Sequence, residues 1–151
     1  MREYLTRKID KFLFDWKANP DRKPLIIKGA RQVGKTKSIE TFAEQNYESI
    51  VEINFAEDPV YKQIVENGYS AEVVIKNISR INPEARFIKG KTLIFFDEIQ
   101  EFPDITTSLK FFSLDGNYDV ICSGSLLGIH YKEISSISVG YKTEIEMRSL
   151  D

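Results

Sequence analysis

Cysteine and histidine are almost absent from the chain, which has one of each, Cys122 and His130. A single thiol excludes an internal disulfide, and without a Cys/His cluster there is no sign of a zinc site. Basic residues are not in excess either, because 21 Lys and Arg stand against 23 Asp and Glu, for a net charge of −2. Nucleic-acid binding draws much of its affinity from basic side chains that neutralise phosphates. The composition therefore does not indicate a nucleic-acid partner. It does not exclude one, because basic side chains could still cluster on one face.

Long apolar runs are missing as well. No stretch approaches the ~20 apolar residues that span a bilayer. The start, M-R-E-Y-L-T-R-K, lacks the apolar segment of a signal peptide. We therefore expect a cytoplasmic protein that does not enter membranes. With 151 residues, of which 42% are apolar, the chain is expected to fold as one globular domain.

An amphipathic helix is predicted over residues 2–18. Its apolar positions share one face at the helical period, and the other positions are largely charged. Those apolar residues are Leu5, Ile9, Phe12, Leu13 and Trp16. Asn19-Pro20 should end the helix, because a proline disfavours helical geometry in the residue before it.

Strands alternate with helices along the rest of the chain. Strands are predicted at 25–27, 49–54, 92–96, 119–123 and 141–147, and helices at 35–46, within 59–81 and at 104–113. Such alternation indicates βαβ units and a mainly parallel sheet. The run L-I-F-F carries no polar alternation, as expected of a strand that is covered on both faces. We predict a three-layer α/β domain.

A phosphate-binding loop follows the first strand. Gly29, Gly34, Lys35 and Thr36 match G-x-x-x-x-G-K-[ST], and the loop opens a predicted helix. Glycines let the backbone approach phosphate oxygens, while successive N–H groups form an anion site at the helix N-terminus. The lysine reaches the β- and γ-phosphates, and the threonine hydroxyl binds Mg²⁺. The predicted nucleotide-binding residues are Gly29, Ala30, Arg31, Gln32, Val33, Gly34, Lys35, Thr36 and Lys37.

Two acids end the apolar strand T-L-I-F-F-D-E. In P-loop proteins, an Asp at a strand end beside the loop holds the metal ion, and we assign this role to Asp97. Glu98 would reach further, toward the γ-phosphate, and accept a proton from the attacking water. The chain has no D-x-x-G switch and no N-K-x-D guanine reader, which favours ATP over GTP.

The fourth strand ends in C-S-G-S, which places Ser123 and Ser125 near the same edge. Either hydroxyl could hold the water or sense the γ-phosphate. Alternatively, Ser125 caps a following helix. The sequence does not show which of the two serines is the sensor.

Three motifs together resemble a known family. These are K-G-A-R-Q-V-G-K-T, F-F-D-E-I-Q-E-F-P and I-C-S-G-S-L-L-G, and the chain is similar to prokaryotic AAA-superfamily ATPases with an AAA_14-type N-terminal module. The resemblance implies an AAA-like core with strand order 5-1-4-3-2. It also implies metal binding by Thr36 and Asp97, activation of the attacking water by Glu98, and a sensor at Ser123 or Ser125. The phosphate-loop motif adds Lys35 to the predicted catalytic residues. Lys37 departs from the family, which usually has Ser or Thr at that position.

Relatives of this type continue into a C-terminal domain of the DUF4143 type. We therefore expect residues 1–151 to form one AAA-like domain that is truncated at its C-terminus, with a helical segment at 1–20 and a nucleotide-binding core at 25–151. An arginine finger or a partner surface would then lie in the missing part.

The leading hypothesis is Mg²⁺-dependent ATP hydrolysis that drives conformational change on an unknown partner, with oligomer formation possible. A second hypothesis is a nucleotide-gated binding module with negligible hydrolysis. A third, a P-loop phosphotransferase, is disfavoured because residues 104–140 contain no arginine for a lid.

Overall fold

The computed structural model describes residues 2–29, 34–125 and 143–147, and their side chains apart from those of residues 2–7, 145 and 147. The helices are α1 (Arg2–Ala18), α2 (Lys35–Asn46), α3 (Ala71–Ile81) and α4 (Leu109–Asp115). The strands are β1 (Leu25–Gly29), β2 (Ser49–Asn54), β3 (Thr92–Asp97), β4 (Asp119–Gly124) and β5 (Thr143–Met147). Three short 3₁₀ segments lie at Pro59–Val65, Ile99–Glu101 and Pro103–Ser108.

The described strands form one sheet in the order β2-β3-β4-β1-β5. Every neighbouring pair is parallel. The predicted order 5-1-4-3-2 is the same order read from the other edge, so the predicted α/β architecture is confirmed. The carboxyl ends of β1, β3 and β4 therefore lie together at one edge.

Two apolar clusters cover the two faces of the sheet. One joins α1 and α2 to alternate residues of the central strands, among them Leu25, Phe95 and Ile121. The other joins α3 and α4 to the residues between them, such as Ile94, Phe96 and Cys122. Strand β3 is buried at all six positions. Its uninterrupted apolar sequence follows from this double coverage.

Helix α1 has the predicted bounds and packs through Ile9, Leu13 and Trp16, while Phe12 is partly buried. The side chain of Leu5 lies outside the described residues. In the described part of the chain, no helix has the length and apolar character needed to cross a membrane.

The predicted helix at 104–113 is instead a 3₁₀ segment followed by the short α4. The reason is local, because two hydroxyls bond to carbonyls three residues back. Thr106 donates to the Pro103 carbonyl at 2.7 Å, and Ser108 donates to the Ile105 carbonyl at 2.6 Å. Such side-chain bonds compete with regular helical geometry. At β5, residues 141 and 142 of the predicted strand lie outside the described residues.

Asp119, the first residue of β4, ties the end of α1 to the sheet. Its Oδ2 accepts hydrogen bonds from Arg22 Nε at 3.0 Å and from the Tyr47 hydroxyl at 2.6 Å. Arg22 Nη2 lies 2.9 Å from the same oxygen, and Lys17 Nζ lies 3.6 Å from it. Burial, and then the Asp119 carboxylate, raises the pKa of Tyr47, so Tyr47 stays a donor. This group is a structural anchor at the edge opposite the phosphate-binding loop.

We expect Asp119→Ala to lower the free energy of unfolding by roughly 1–3 kcal/mol, because it leaves charged and hydroxyl donors without their acceptor. Urea unfolding measures the change. Asp10→Ala, at an exposed position on α1, is the matched control and should stay within about 0.5 kcal/mol of wild type. Equal stability of the two variants would contradict the anchoring role.

Two glutamates face each other between β2 and α2. Val51 and Ile53 pack on the α3 side of β2, so Glu52 points to the α2 side, where it meets Glu40. Partial burial of the carboxyl, and then the hydrogen bond and charge of Glu40, raises the pKa of Glu52 to about 7 from 4.5. Between these values the native state binds more protons than the unfolded state. This pair therefore makes the protein less stable as the pH rises from about 4.5 to 7.

We predict that Glu52→Gln is more stable than wild type at about pH 8 and that the difference disappears toward pH 4.5. The amide cannot ionise, so it removes the loss of stability that accompanies deprotonation. Urea unfolding at several pH values measures this, with the exposed α2 residue Glu44, changed to Gln, as control. A constant difference in stability between Glu52→Gln and wild type across the pH range would show that the ionisation of Glu52 does not cause it.

Candidate functional site

The start of α2 is set by a glycine in a left-handed conformation. Gly34 precedes Lys35 with φ 74° and ψ 20°, a region that side chains with a β-carbon rarely adopt. The carbonyl of Gly34 accepts the N–H of Ser38 at 3.1 Å, which closes the first turn. The second glycine of the motif is therefore required by backbone geometry. The N-terminus of α2 then points toward the carboxyl edge of the sheet.

The rest of the predicted loop is described only at its ends. Gly29 is the last residue of β1 and is buried. Lys35 is 3% exposed, Thr36 is half-buried, and Lys37 is exposed. Residues Ala30, Arg31, Gln32 and Val33 lie outside the described residues.

Thr36 and Asp97 meet at the centre of the site. The Thr36 hydroxyl donates to Asp97 Oδ2 at 3.1 Å, across 61 residues of sequence. Thr36 is the second residue of α2, and Asp97 is the last residue of β3. The two predicted metal-binding side chains are therefore in direct contact.

Asp97 is almost inaccessible, at 3% exposure. Burial raises its pKa, and the charge of Glu98 adds to this, whereas the Glu98 N–H, the Thr36 hydroxyl and Lys35 lower it. The Glu98 N–H donates to Asp97 Oδ1 at 2.8 Å. A buried carboxylate with donors on both oxygens is well oriented, and a bound cation would favour its charged form.

The residues present fit a magnesium ion. Mg²⁺ prefers oxygen ligands and is usually held by one or two protein groups together with water and substrate phosphates. Asp97 and Thr36 supply one carboxylate and one hydroxyl. Within residues 2–29, 34–125 and 143–147, no group of three His, Cys, Asp or Glu side chains forms a separate metal site.

Glu98 has an unusual backbone. Its φ of 56° and ψ of 47° make it the one non-glycine residue with positive φ in the described part of the chain. Such a conformation costs roughly 1–3 kcal/mol and tends to occur at functional sites. It turns the chain sharply after Asp97, and the buried Ile99 follows.

Both predicted sensor serines are buried. Phe96 pairs with Cys122, so Asp97 and Ser123 are the next residues on adjacent strands. Ser123 is fully buried on the sheet face that α2 covers, and its Oγ has no hydrogen-bond partner among the described residues. Ser125 is 5% exposed just beyond β4. The alternative in which Ser125 caps a helix concerns residues after 125, which lie outside the described ones.

Sequence reasoning missed Gln100. Its side-chain amide donates from Nε2 to Glu98 Oε2, and its Oε1 accepts the N–H of Ser125 at 3.1 Å. Nothing in the pattern D-E-I-Q singles out this residue as a link to β4. The only available signal was its position two residues after an acid that is predicted to be catalytic.

The comparisons with known proteins agree with the fold. The likenesses to solved structures concern the fold, because the identities are low. The ORC1 protein of Aeropyrum pernix in complex with DNA matches with a TM-score of 0.60 and 16% identity, over 99% of this chain and 46% of that one. Drosophila ORC bound to GC-rich DNA and Cdc6 matches with a TM-score of 0.61 and 8% identity, over 99% of this chain and 58% of that one. The chain thus spans about half the length of these solved chains.

Family membership comes from the sequence. A comparison with curated proteins finds no match. The family model AAA_14, described as an AAA domain, matches residues 21–151. Because this match includes the loop, the acid-ended strand and most of the chain, the protein belongs to the AAA_14 family of AAA domains.

Proposed function

We propose that this domain binds ATP with Mg²⁺ and hydrolyses it. One observation carries the proposal: the 3.1 Å hydrogen bond between Thr36 and Asp97. It joins the first turn of the helix after the phosphate loop to the acid at the end of β3. That combination of hydroxyl and carboxylate is the one P-loop proteins use for the metal ion. Nucleotide binding is also what AAA domains have in common.

Lys35 and the N-terminus of α2 would hold the phosphates. The ammonium group is buried beside the Asp97 carboxylate, whose pKa it helps to lower, and it offers three donors. The glycines at 29 and 34 leave space for the backbone to approach the β- and γ-phosphates. Binding energy in this arrangement comes from charge and from oriented N–H groups.

Glu98 would act as general base. It is the next residue after Asp97, and its positive φ marks a turn of the backbone at the end of β3. A carboxylate at this position would orient a water and take its proton as the water attacks the γ-phosphate. The Mg²⁺ bound by Thr36 and Asp97 would neutralise charge on the phosphate oxygens. Ser123 or Ser125 would report whether the γ-phosphate is present.

The cycle would change the shape of the segments after β3 and β4, and so act on a partner protein or a further domain. Loss of contacts to the γ-phosphate is a common way to release such segments. Of the structural neighbours, one is an ORC1 protein in complex with DNA and another is an ORC bound to DNA and Cdc6. We include a protein partner or an oligomer in the proposal; the net charge of −2 gives no support for a DNA partner.

We predict that Glu98→Gln binds ATP but hydrolyses it roughly 10²–10⁴-fold more slowly, as expected for loss of a general base. Single-turnover hydrolysis at high protein concentration measures this.

Lys35→Ala should weaken ATP binding at least about tenfold, because a hydrogen bond to a charged group contributes about 1.5–3 kcal/mol. The exposed Glu101→Gln and Lys76→Ala are the matched controls.

If wild type binds ATP but does not hydrolyse it, the domain is a nucleotide-gated binding module. Hydrolysis by Glu98→Gln at the wild-type rate would exclude Glu98 as the base. Wild type that binds no ATP would contradict the proposal as a whole.

The metal assignment has its own test. We expect Mg²⁺ to tighten ATP binding by wild type and to have little effect on Asp97→Asn, because the amide supplies no charge to the cation. ATP affinity is measured by calorimetry with Mg²⁺ and with a chelator. Asp104→Asn, at an exposed position that also follows β3, should keep the wild-type response. An unchanged response in Asp97→Asn would show that Asp97 does not hold the ion.

A further inference from the structure

The side chain of Gln100 bridges two parts of the site. Its Nε2 donates to the Glu98 carboxylate, and its Oε1 accepts the Ser125 N–H at 3.1 Å. A carboxylate can only accept and an N–H can only donate, so both neighbours require the same orientation of the amide. An acidic or a basic side chain at this position could not serve both.

Gln100 is held in place by the turn around it. The Glu101 N–H donates to the Glu98 carbonyl at 3.0 Å, and the Phe102 N–H donates to the Ile99 carbonyl at 2.9 Å. Ile99 is 2% exposed and packs in the cluster beneath α3 and α4. The positive φ of Glu98 persists because these contacts over-determine the turn. Gln100 therefore sits on a rigid support between Glu98 and β4.

Ser125 is the first residue beyond β4, and β4 lies between the acid-bearing β3 and the loop-bearing β1. The backbone at residue 125 is thus near the edge of the sheet where Gly29 and Asp97 end their strands and where Ser123 is the next-to-last residue of β4. A shift of this backbone would pull on the Gln100 amide and, through it, on the Glu98 carboxylate.

We propose that Gln100 is a positioning residue that ties the Glu98 carboxylate to the backbone at the end of β4, so that the direction of Glu98 follows the position of residue 125. The catalytic consequence rests on the proposed role of Glu98. The link itself can be tested in the protein without nucleotide.

The first experiment measures exchange of the Ser125 amide proton with water by NMR, in the protein without nucleotide. Gln100→Ala should speed exchange roughly three- to tenfold, which corresponds to loss of one neutral hydrogen bond. Glu98→Ala should do the same without touching Ser125, because it removes the anchor of the amide. Glu98→Gln keeps an acceptor oxygen and should preserve most of the protection.

The double variant Glu98→Ala with Gln100→Ala should exchange no faster than Gln100→Ala alone, since both changes break one chain of contacts. Glu101→Ala, exposed in the same turn, is the control and should leave the amide protected. If alanine at 100 prevents folding, Gln100→Met keeps the side-chain length without its polar ends. Unchanged Ser125 exchange in Gln100→Ala or in Glu98→Ala would overturn the link.

The second experiment asks whether the link matters for catalysis. Gln100→Ala should slow single-turnover hydrolysis roughly tenfold or more. Loss of a residue that orients a metal ligand without touching the metal typically has an effect of this size. The Kd for ATP should change less than about threefold, because Gln100 is not among the phosphate-binding residues. A larger loss of affinity with an unchanged rate would overturn the positioning role.

The two proposals fail in different ways. If Glu98→Gln hydrolyses ATP at the wild-type rate, Glu98 is not the general base. The exchange measurements then still decide whether Gln100 joins Glu98 to Ser125. If Glu98→Gln is inactive while Gln100→Ala hydrolyses at the wild-type rate, the positioning inference alone is overturned.

Discussion

The parallel pairing of β3 with β4 and of β4 with β1 is the constraint on which the site depends. Parallel strands end at the same edge, so three segments far apart in the sequence deliver their polar residues to one place. The register that sets Phe96 beside Cys122 brings Asp97 next to Ser123. The pairing of Ile27 with Ser123 brings the phosphate loop to the same edge. A slip of one residue in either pairing would turn these side chains to the opposite face.

Burial on both faces holds that register. Phe95 packs in the cluster under α1 and α2, and Phe96 packs in the cluster under α3 and α4. A shift of β3 along the sheet would remove both side chains from these clusters. The same burial gives Asp97 a raised pKa, because the carboxylate at the end of this strand is also shielded from water. The hydrogen bonds from Thr36 and the Glu98 N–H oppose this effect. Burial of β3 on both faces therefore accounts for both its fixed register and the raised pKa of Asp97.

Much of the fold followed from patterns that act locally. Predicted α1 and α2 have the observed bounds, since the apolar period of α1, its stop at Asn19-Pro20 and Gly34 are local features. The AAA_14 family and the strand order are confirmed, whereas the prokaryotic source and the DUF4143-type C-terminal domain stay predictions. The helix predicted at 104–113 is confirmed over residues 109–113 and wrong in type over residues 104–108. There the hydroxyl contacts of Thr106 and Ser108 prevailed over apolar periodicity. The roles of Lys35, Glu98 and the two serines stay predictions.

The sequence by itself determined where most of the strands and helices lie and which motif is predicted to bind phosphate. Periodicity, glycine conformation and strand-end acids all act within a few neighbouring residues. Only the tertiary structure decided what each polar group touches. Thr36 meets Asp97, and Gln100 meets Ser125, across 61 and 25 residues of chain. Such contacts depend on strand register and on the packing of two layers, and no short stretch of sequence encodes either of these.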